Sequence, residues 1–382
     1  MHNYIMYRFF SLLFSALTFL LCSCRFGSTH SGSYTGDTVK FRYAEHLSAV
    51  RHDGYTVVTL ANPWKRGSDL HRYILVNRAD SSRVESLPQG TVVYTPVARS
   101  VVFTAPHCYL LGVLGAKSVV KGVCDLAYMN LPYVHDAVRK GFVSDCGNSM
   151  SPSVERIVEL RPEAIFVSPF DGASYGQIAR LGVPIVECAD YMETSALGRA
   201  EWMRFYGMLV GREHEADSLF AVVEHEYCSA RKKALKSHTR PKVITERVVS
   251  GVWYCPGGRS SMGRLIADAG GRYVFADDSH SGSLTLSPEV VVDKASDADC
   301  WLFVSSGVGN ADRRQLLSEY AGYKMIKAFR SGSIYECVPS MDNEYFEEMS
   351  FRPDFLLKNL VEIFHPDVKC DAGRHYYNVV RE

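Results

Sequence analysis

Residues 151–168 read SPSVERIVELRPEAIFVS, and residues 287–305 read SPEVVVDKASDADCWLFVS. In the first, Val154, Ile157, Val158 and Leu160 recur at helical spacing, and Ala164-Ile165-Phe166-Val167 then form an unbroken apolar run. That order predicts a short helix leading into a strand buried on both faces. The second stretch repeats the plan: Ser-Pro, a helix, an acidic turn, then Cys300-Trp301-Leu302-Phe303-Val304. Strands apolar on both faces belong to parallel sheets covered by helices.

Working outward, Val101-Val102-Phe103, Ser118-Val119-Val120 and Pro184-Ile185-Val186 are expected as further strands around the first unit. A short helix over 110–114, closed by Gly115, has a counterpart over 262–271. Two matches in the same order indicate a duplicated α/β lobe. Between the copies, residues 195–235 carry no proline and recurrent apolar positions, which predicts one long connecting helix with Gly211 as a possible bend. Residues 39–92 precede the first lobe and hold short β-branched runs, among them Tyr55-Thr56-Val57-Val58-Thr59-Leu60 and Tyr73-Ile74-Leu75-Val76. The expected division is a β-rich lead-in over 39–92, a first lobe over 93–193, a connecting helix over 194–236, a second lobe over 237–368 and a tail over 369–382.

The N-terminus reads as a targeting segment. Residues 9–21 are apolar apart from Ser11, Ser15 and Thr18. Thirteen residues are too few to span a bilayer, which takes about 20, but they suit the core of a secretory signal. The stretch closes on Leu21-Cys22-Ser23-Cys24, the pattern of a lipobox, so residues 1–24 are expected as a lipoprotein signal with lipidation at Cys24. A plain signal peptide containing cysteines is the alternative. Nine of the fourteen residues in 25–38 are Gly, Ser or Thr, a flexible tether.

The 382 residues carry 42 basic and 42 acidic side chains. Zero net charge argues against a nucleic-acid binder, which needs a basic face. Nine cysteines follow Cys24 with no CxxC spacing, so a zinc ribbon or redox pair is not expected; most read as small core hydrophobes. No G-x-S-x-G, H-E-x-x-H, P-loop or G-x-G-x-x-G occurs, so enzymatic readings are weak. A cell-surface enzyme or a receptor remains the alternative of another class.

Four segments in this order, behind the lipobox, carry a resemblance: 154–165 (VERIVELRPEAI), 262–271 (MGRLIADAGG), 284–290 followed by Asp297-Ala298-Asp299, and Arg352-Pro353-Asp354 with Leu356-Leu357, closing at His365-Pro366. Over roughly residues 93–366 the chain is similar to the lipoprotein substrate-binding components of ABC importers for iron-siderophores, haem and vitamin B12 (cobalamin). The resemblance implies two Rossmann-like α/β lobes bridged by one long helix, with a chelate held in the cleft between them. It further implies a non-enzymatic monomer without intrinsic cofactor, delivering an iron-siderophore, haem or cobalamin to a permease and its ATPase. Its expected location is the periplasmic side of the cell envelope, on a lipid anchor.

Ligands of open α/β sheets sit beyond the carboxyl ends of the strands. The loops expected there are 104–109, 124–130, 168–175 and 190–192 in the first lobe, and 251–261, 277–283, 305–310 and 340–346 in the second. They supply Tyr109, Tyr128, Phe170, Tyr175, Tyr191, Trp253, Tyr254, Tyr345 and Phe346. As a set these suit a bulky flat ligand, although any one of them reads equally well as core. The expected ligand-binding residues are Tyr128, Phe170, Tyr191, Trp253, Tyr254, Arg259 and Tyr345. Trp253 and Tyr254 in particular are expected to form one wall, lifted by the Pro256-Gly257-Gly258 turn. His107 and His280 fall in these loops as candidate metal or haem ligands, against the commoner role of a solvated loop histidine; Tyr128 and Met129 are further candidates. Members of the resembled family carry an acidic transporter-docking residue near the first helix of each lobe. The matching positions here are Tyr109 and Arg264, with Glu155 or Asp268 as substitutes.

Overall fold

In the computed structural model, described over residues 36–84, 86–305 and 311–382, the two quoted stretches each form a helix and a central strand. Helices are numbered α1 Ala105–Val113, α2 Pro132–Arg139, α3 Val154–Leu160, α4 Ala196–Glu201, α5 Met203–Val210, α6 Glu213–Lys236, α7 Ser261–Asp268, α8 Pro288–Ala295, α9 Arg313–Glu319, α10 Lys327–Ser331, α11 Tyr345–Glu348 and α12 Pro353–Phe364. The first lobe contains β6 Ser100–Val102, β7 Val120–Val123, β8 Ser144–Asp145, the small hairpin β9 Gly147–Asn148 with β10 Ser151–Pro152, then β11 Ala164–Val167 and β12 Ile185–Glu187. The second contains β13 Lys242–Thr245, β14 Val248–Val249, β15 Val252–Pro256, β16 Arg272–Tyr273, β17 Ser283–Leu286, β18 Cys300–Val304, β19 Ile334–Cys337 and β20 Tyr377–Val379.

The duplication is visible in strand order. The first sheet runs β12-β11-β6-β7-β8 and the second β16-β13-β18-β19-β20. Both share a four-strand parallel core, β7-β6-β11-β12 in one and β16-β13-β18-β19 in the other, with α3 and α8 entering equivalent strands. The copies differ at their edges: β8 is added to the first, and antiparallel β20 to the second. The expected tail over 369–382 contributes this edge strand, with Tyr376 and Tyr377 buried.

Local chemistry sets the helix ends. Ser153 caps α3 by accepting from the Arg156 N–H, and Ser260 caps α7 by accepting from the Gly263 N–H, each satisfying a donor the first turn leaves free. The expected single connecting helix is broken into α4, α5 and α6. Gly211 closes α5 at φ 65, a left-handed backbone that glycine adopts without steric cost. The bridge proper is α6, 24 residues with Glu213 and Glu215 in its first turn and Lys233 and Lys236 in its last, each complementing the helix dipole. It spans roughly 36 Å at 1.5 Å per residue. It packs on α5 and on α12 of the second lobe, where Lys358 Nζ lies 2.5 Å from Glu226 Oε2.

The lead-in is a five-stranded sheet, β1 Asp37–Val39, β2 Leu47–His52, β3 Tyr55–Ala61, β4 Asp69–Asn77 and β5 Thr91–Thr95, antiparallel except for β4 with β5. Two buried carboxylates tie it to the lobes. Glu201 on α4 accepts from the backbone N–H groups of Arg42, Tyr43 and Ala44 at 2.7–3.0 Å. Glu193 accepts from Glu45, His46 and the Trp202 indole at 2.9–3.0 Å. Residues 37–382 form one compact unit. Of the nine cysteines after Cys24, all are free thiols, and only Cys228 is exposed. No helix among the described residues is long and apolar enough to cross a membrane. Cys24 and the lipobox lie outside the described residues, as does the second-lobe loop segment 306–310.

Candidate ligand-binding site

Parallel strands β6, β7 and β11 end side by side, and the chain leaving each one lines a cavity of about 640 Å3. That volume is in the range of small-molecule sites, roughly 300–1,000 Å3. Phe103 and Thr104 come from the end of β6, Asp125 from the end of β7, and Val167, Ser168 and Phe170 from the end of β11. The β9–β10 hairpin contributes Ser149, Met150 and Ser151, and the start of α3 contributes Val154 and Glu155. Tyr175, Gln177 and Ile178 close the remaining side. Phe103, Val167 and Ile178 belong to a buried apolar cluster that includes Val101, Ile157 and Ile165. Phe170 is half exposed. The Tyr175 hydroxyl donates to Glu187 at 2.7 Å; burial, then that bond to a carboxylate, pushes its pKa well above the ordinary phenol value.

Asp125 has a left-handed backbone, φ 54, and its Oδ1 accepts from the Ser149 N–H at 3.1 Å. That bond ties the β7 exit to the hairpin and fixes where the carboxylate stands. Glu155 is exposed in the first turn of α3, with Oε2 accepting from the Ser153 hydroxyl at 3.3 Å. Among the described residues lining this cavity there is no lysine, arginine or histidine.

The second lobe has a smaller depression, about 270 Å3, in the equivalent place. It is lined by Glu246 and Arg247 after β13, Val304 at the end of β18, and Val249, Tyr254, Pro256 and Ser283 from the β14-β15-β17 sheet. Glu246, at φ 62, turns the chain between β13 and β14. Burial raises its carboxyl to about 7, partly offset by the Val304 N–H and by Arg247. Arg247 is itself paired with Glu319 at 2.6 Å.

Several expected site residues are elsewhere. Trp253 is fully buried: its indole N–H donates to Thr245 O at 3.0 Å and its ring packs on Trp301 and Tyr323. The cause is strand parity. On β15, Trp253 and Cys255 face inward while Tyr254 faces out, because successive side chains of a strand point to opposite faces. Tyr254 alone reaches the second-lobe depression. Tyr345 is core, covered by Tyr376 and Tyr377 when the tail folds back as β20. His107 points into the lobe and pairs with Asp190 at 2.8 Å. Burial opposes its charge, but Cys188 and Asp190 outweigh that and hold it at about 10.

Tyr128 is 80% exposed and Met129 is buried, and neither lines the cavity. Tyr191 donates its hydroxyl to Pro169 O at 2.5 Å, bracing the loop that carries Phe170. Arg259 is exposed ahead of α7, outside both cavities. His280 is exposed beside Asp278 at 3.1 Å. Tyr109 is buried near Glu348 and Arg352, and Glu155 lines the first-lobe cavity. Arg264 and Asp268 border a separate groove, where Asp268 is held by Arg231 and Tyr227. Reading residues 147–152 missed the hairpin; its Ser-rich composition beside Gly147 and Asn148 was the available signal. Among the described residues no three His, Cys, Asp or Glu side chains group as a metal site.

Two α/β lobes, each with a hollow beyond the carboxyl ends of its strands and a rigid helix between them, define a two-lobed solute-binding protein. The chain belongs to the periplasmic binding protein family, whose model matches residues 111–341. It is thus a solute-binding protein and not an enzyme. An uncharacterized lipoprotein of Methanocaldococcus jannaschii is 25% identical over 88% of this chain and 84% of its own. Solved structures share the fold. A possible iron-binding periplasmic solute-binding protein from Staphylococcus epidermidis has a TM-score of 0.57 at 19% identity, covering 71% of this chain and all of that one. The periplasmic haem-binding protein of Roseiflexus sp. RS-1 has a TM-score of 0.53 at 23% identity, covering 72% and 99%.

Proposed function

We propose that this protein is the substrate-binding lipoprotein of an ABC importer, capturing an iron chelate, a siderophore or haem, between its lobes and delivering it to the permease. The observation that carries the reading is the cavity at the ends of β6, β7 and β11, which combines aromatic and hydroxyl groups in a volume suited to a chelate. The absence of a grouped metal site among the described residues favours iron that arrives already chelated over a bare ion. The iron-binding and haem-binding descriptions of structures sharing the fold support the same class. Lipidation at Cys24 would hold the protein outside the cytoplasm at a membrane surface, in line with the lipoprotein description of its archaeal relative.

Isothermal titration of the mature protein with ferric siderophores and with haem tests this. Binding of at least one with a Kd at or below about 1 μM, roughly 8 kcal/mol, is expected. Sugars and amino acids should give no heat. A panel in which no chelate binds refutes the reading.

A further inference from the structure

One buried carboxylate connects the lead-in sheet to the ligand cavity. Glu187, the last residue of β12, is buried and has a side-chain partner on each oxygen. Its Oε1 accepts from the hydroxyl of Tyr175, a residue of the cavity wall, at 2.7 Å. Its Oε2 faces His71 Nδ1 on β4 at 3.0 Å. A ring nitrogen against a carboxylate donates, which leaves His71 Nε2 to accept from the Thr91 hydroxyl on β5 at 2.8 Å. Thr91, His71, Glu187 and Tyr175 form one hydrogen-bonded chain from the lead-in to the cavity.

Strand geometry keeps this chain in place. His71 and Tyr73 are two residues apart on β4 and share a face. Their rings stack at 4.3 Å and 17°. The Tyr73 hydroxyl donates to Ile185 O at 3.0 Å and accepts from the Glu187 N–H at 2.8 Å, which fixes the backbone that carries the carboxylate. Fastening of the sheet is already supplied by Glu201 and Glu193, which hold the backbone of residues 42–46. What the His71 arm adds is the position of Tyr175. The rest of that wall is held by turns: the Ala173 N–H donates to Phe170 O at 2.9 Å and the Ile178 N–H to Tyr175 O at 3.0 Å. A wall set before cargo arrives spares the cost of ordering it on binding.

We infer, on the basis of the function just proposed, that the lead-in sheet takes part in cargo binding: His71 is a positioning residue that, through Glu187, holds the Tyr175 ring in the cavity wall.

The test is a double-mutant cycle on the mature protein, titrated with ferrichrome and with haemin. His71→Ala removes one arm of the carboxylate at a position whose side chain is 29% exposed, and Tyr175→Phe removes the other. Each single change should weaken a probe that binds by about threefold to tenfold, the range for one hydrogen bond. In the Tyr175→Phe background, His71→Ala should add less than about twofold. Glu187→Gln, which can still accept from Tyr175 and donate to His71 Nδ1, should stay within about threefold of the unaltered protein, whereas Glu187→Ala should match the double variant. Glu201→Ala loosens the lead-in through bonds that do not involve Tyr175 and should change affinity by less than about twofold. Equal losses from His71→Ala with and without the Tyr175 hydroxyl overturn the inference. So does a loss from Glu201→Ala as large as that from His71→Ala, because the sheet then acts by attachment alone. Hydrogen exchange of the apo protein over residues 170–178 should quicken in His71→Ala and in Tyr175→Phe alike. If neither probe binds, it is the chelate-binding function that fails, and the exchange still decides the positioning: an unchanged rate in His71→Ala overturns it.

Discussion

Replacing Asp190 by asparagine tests whether His107 serves the fold or the ligand. Asp190 is fully buried and carries three contacts: His107 Nε2 at 2.8 Å, the Tyr206 hydroxyl at 2.8 Å and Arg199 Nε at 3.3 Å. His107 also meets the Phe351 ring of the second lobe edge-on at 5.7 Å. Removing one partner of a buried ion pair leaves the other charge uncompensated, at about 3–5 kcal/mol. At roughly 2 °C per kcal/mol, the low end for large domains, Tm should fall by about 6–10 °C. The pH dependence has a definite sign. His107 is raised from 6.5 to about 10, so its contribution is complete below pH 6.5 and is lost as pH rises through about 10. Asp190 is lowered from 3.8: burial opposes this, but the charge of His107 and its hydrogen bond, then Arg199, outweigh it. Its contribution is complete above pH 3.8 and is lost as pH falls through its folded value. The penalty of Asp190→Asn should therefore be largest near pH 5–6 and shrink toward pH 10. Calorimetric melts across pH, paired with chelate titrations at 25 °C, read both effects; affinity should stay within about threefold. A variant with unchanged Tm and lost affinity would refute the reasoning and return His107 to the ligand.

Trp253→Ala should cost about 3–5 kcal/mol of stability, the range for emptying a large aromatic site, whereas Tyr254→Ala should leave Tm nearly unchanged and weaken chelate binding severalfold. Equal melting temperatures for the two variants would mean that β15 has the opposite parity. Glu201→Ala deprives the Arg42, Tyr43 and Ala44 N–H groups of their acceptor, worth about 3 kcal/mol in total, and should loosen this backbone so that trypsin cuts faster at the exposed Lys40 and Arg42; an unaltered digestion rate would contradict this. Cys24→Ala should move the protein from the membrane fraction to the soluble extract, and a variant that stays with membranes would place the anchor elsewhere.

The duplicated lobe was legible because its signal is local: the 151–168 and 287–305 stretches carry helix and buried strand in one continuous pattern, and β11 and β18 occupy equivalent central places. Side-chain direction was less accessible. Val252-Trp253-Tyr254-Cys255 does contain the alternation that separates Trp253 from Tyr254, but only once the segment is recognised as a strand and not as the ascending arm of a turn. Tyr345 and His107 depended on partners far along the chain, Tyr376 and Tyr377 for one, Asp190 and Tyr206 for the other; no local pattern announces such contacts. Phe170 and Asp125 both fall in loops that the strand-end rule marks, 168–175 and 124–130, but a search for aromatic faces picks out Phe170 and passes over Asp125. The break at Gly211 was suggested by composition, but its completeness comes from the left-handed turn there and the fresh dipole start at Glu213.

The most direct test of cargo capture at the strand ends is the iron anomalous signal from crystals of the mature protein grown with ferrichrome. The account expects one strong peak over the first-lobe cavity, bordered by Phe170 and the 149–151 turn. A peak in the groove beside Arg264, or none at full chelate occupancy in solution, would contradict it.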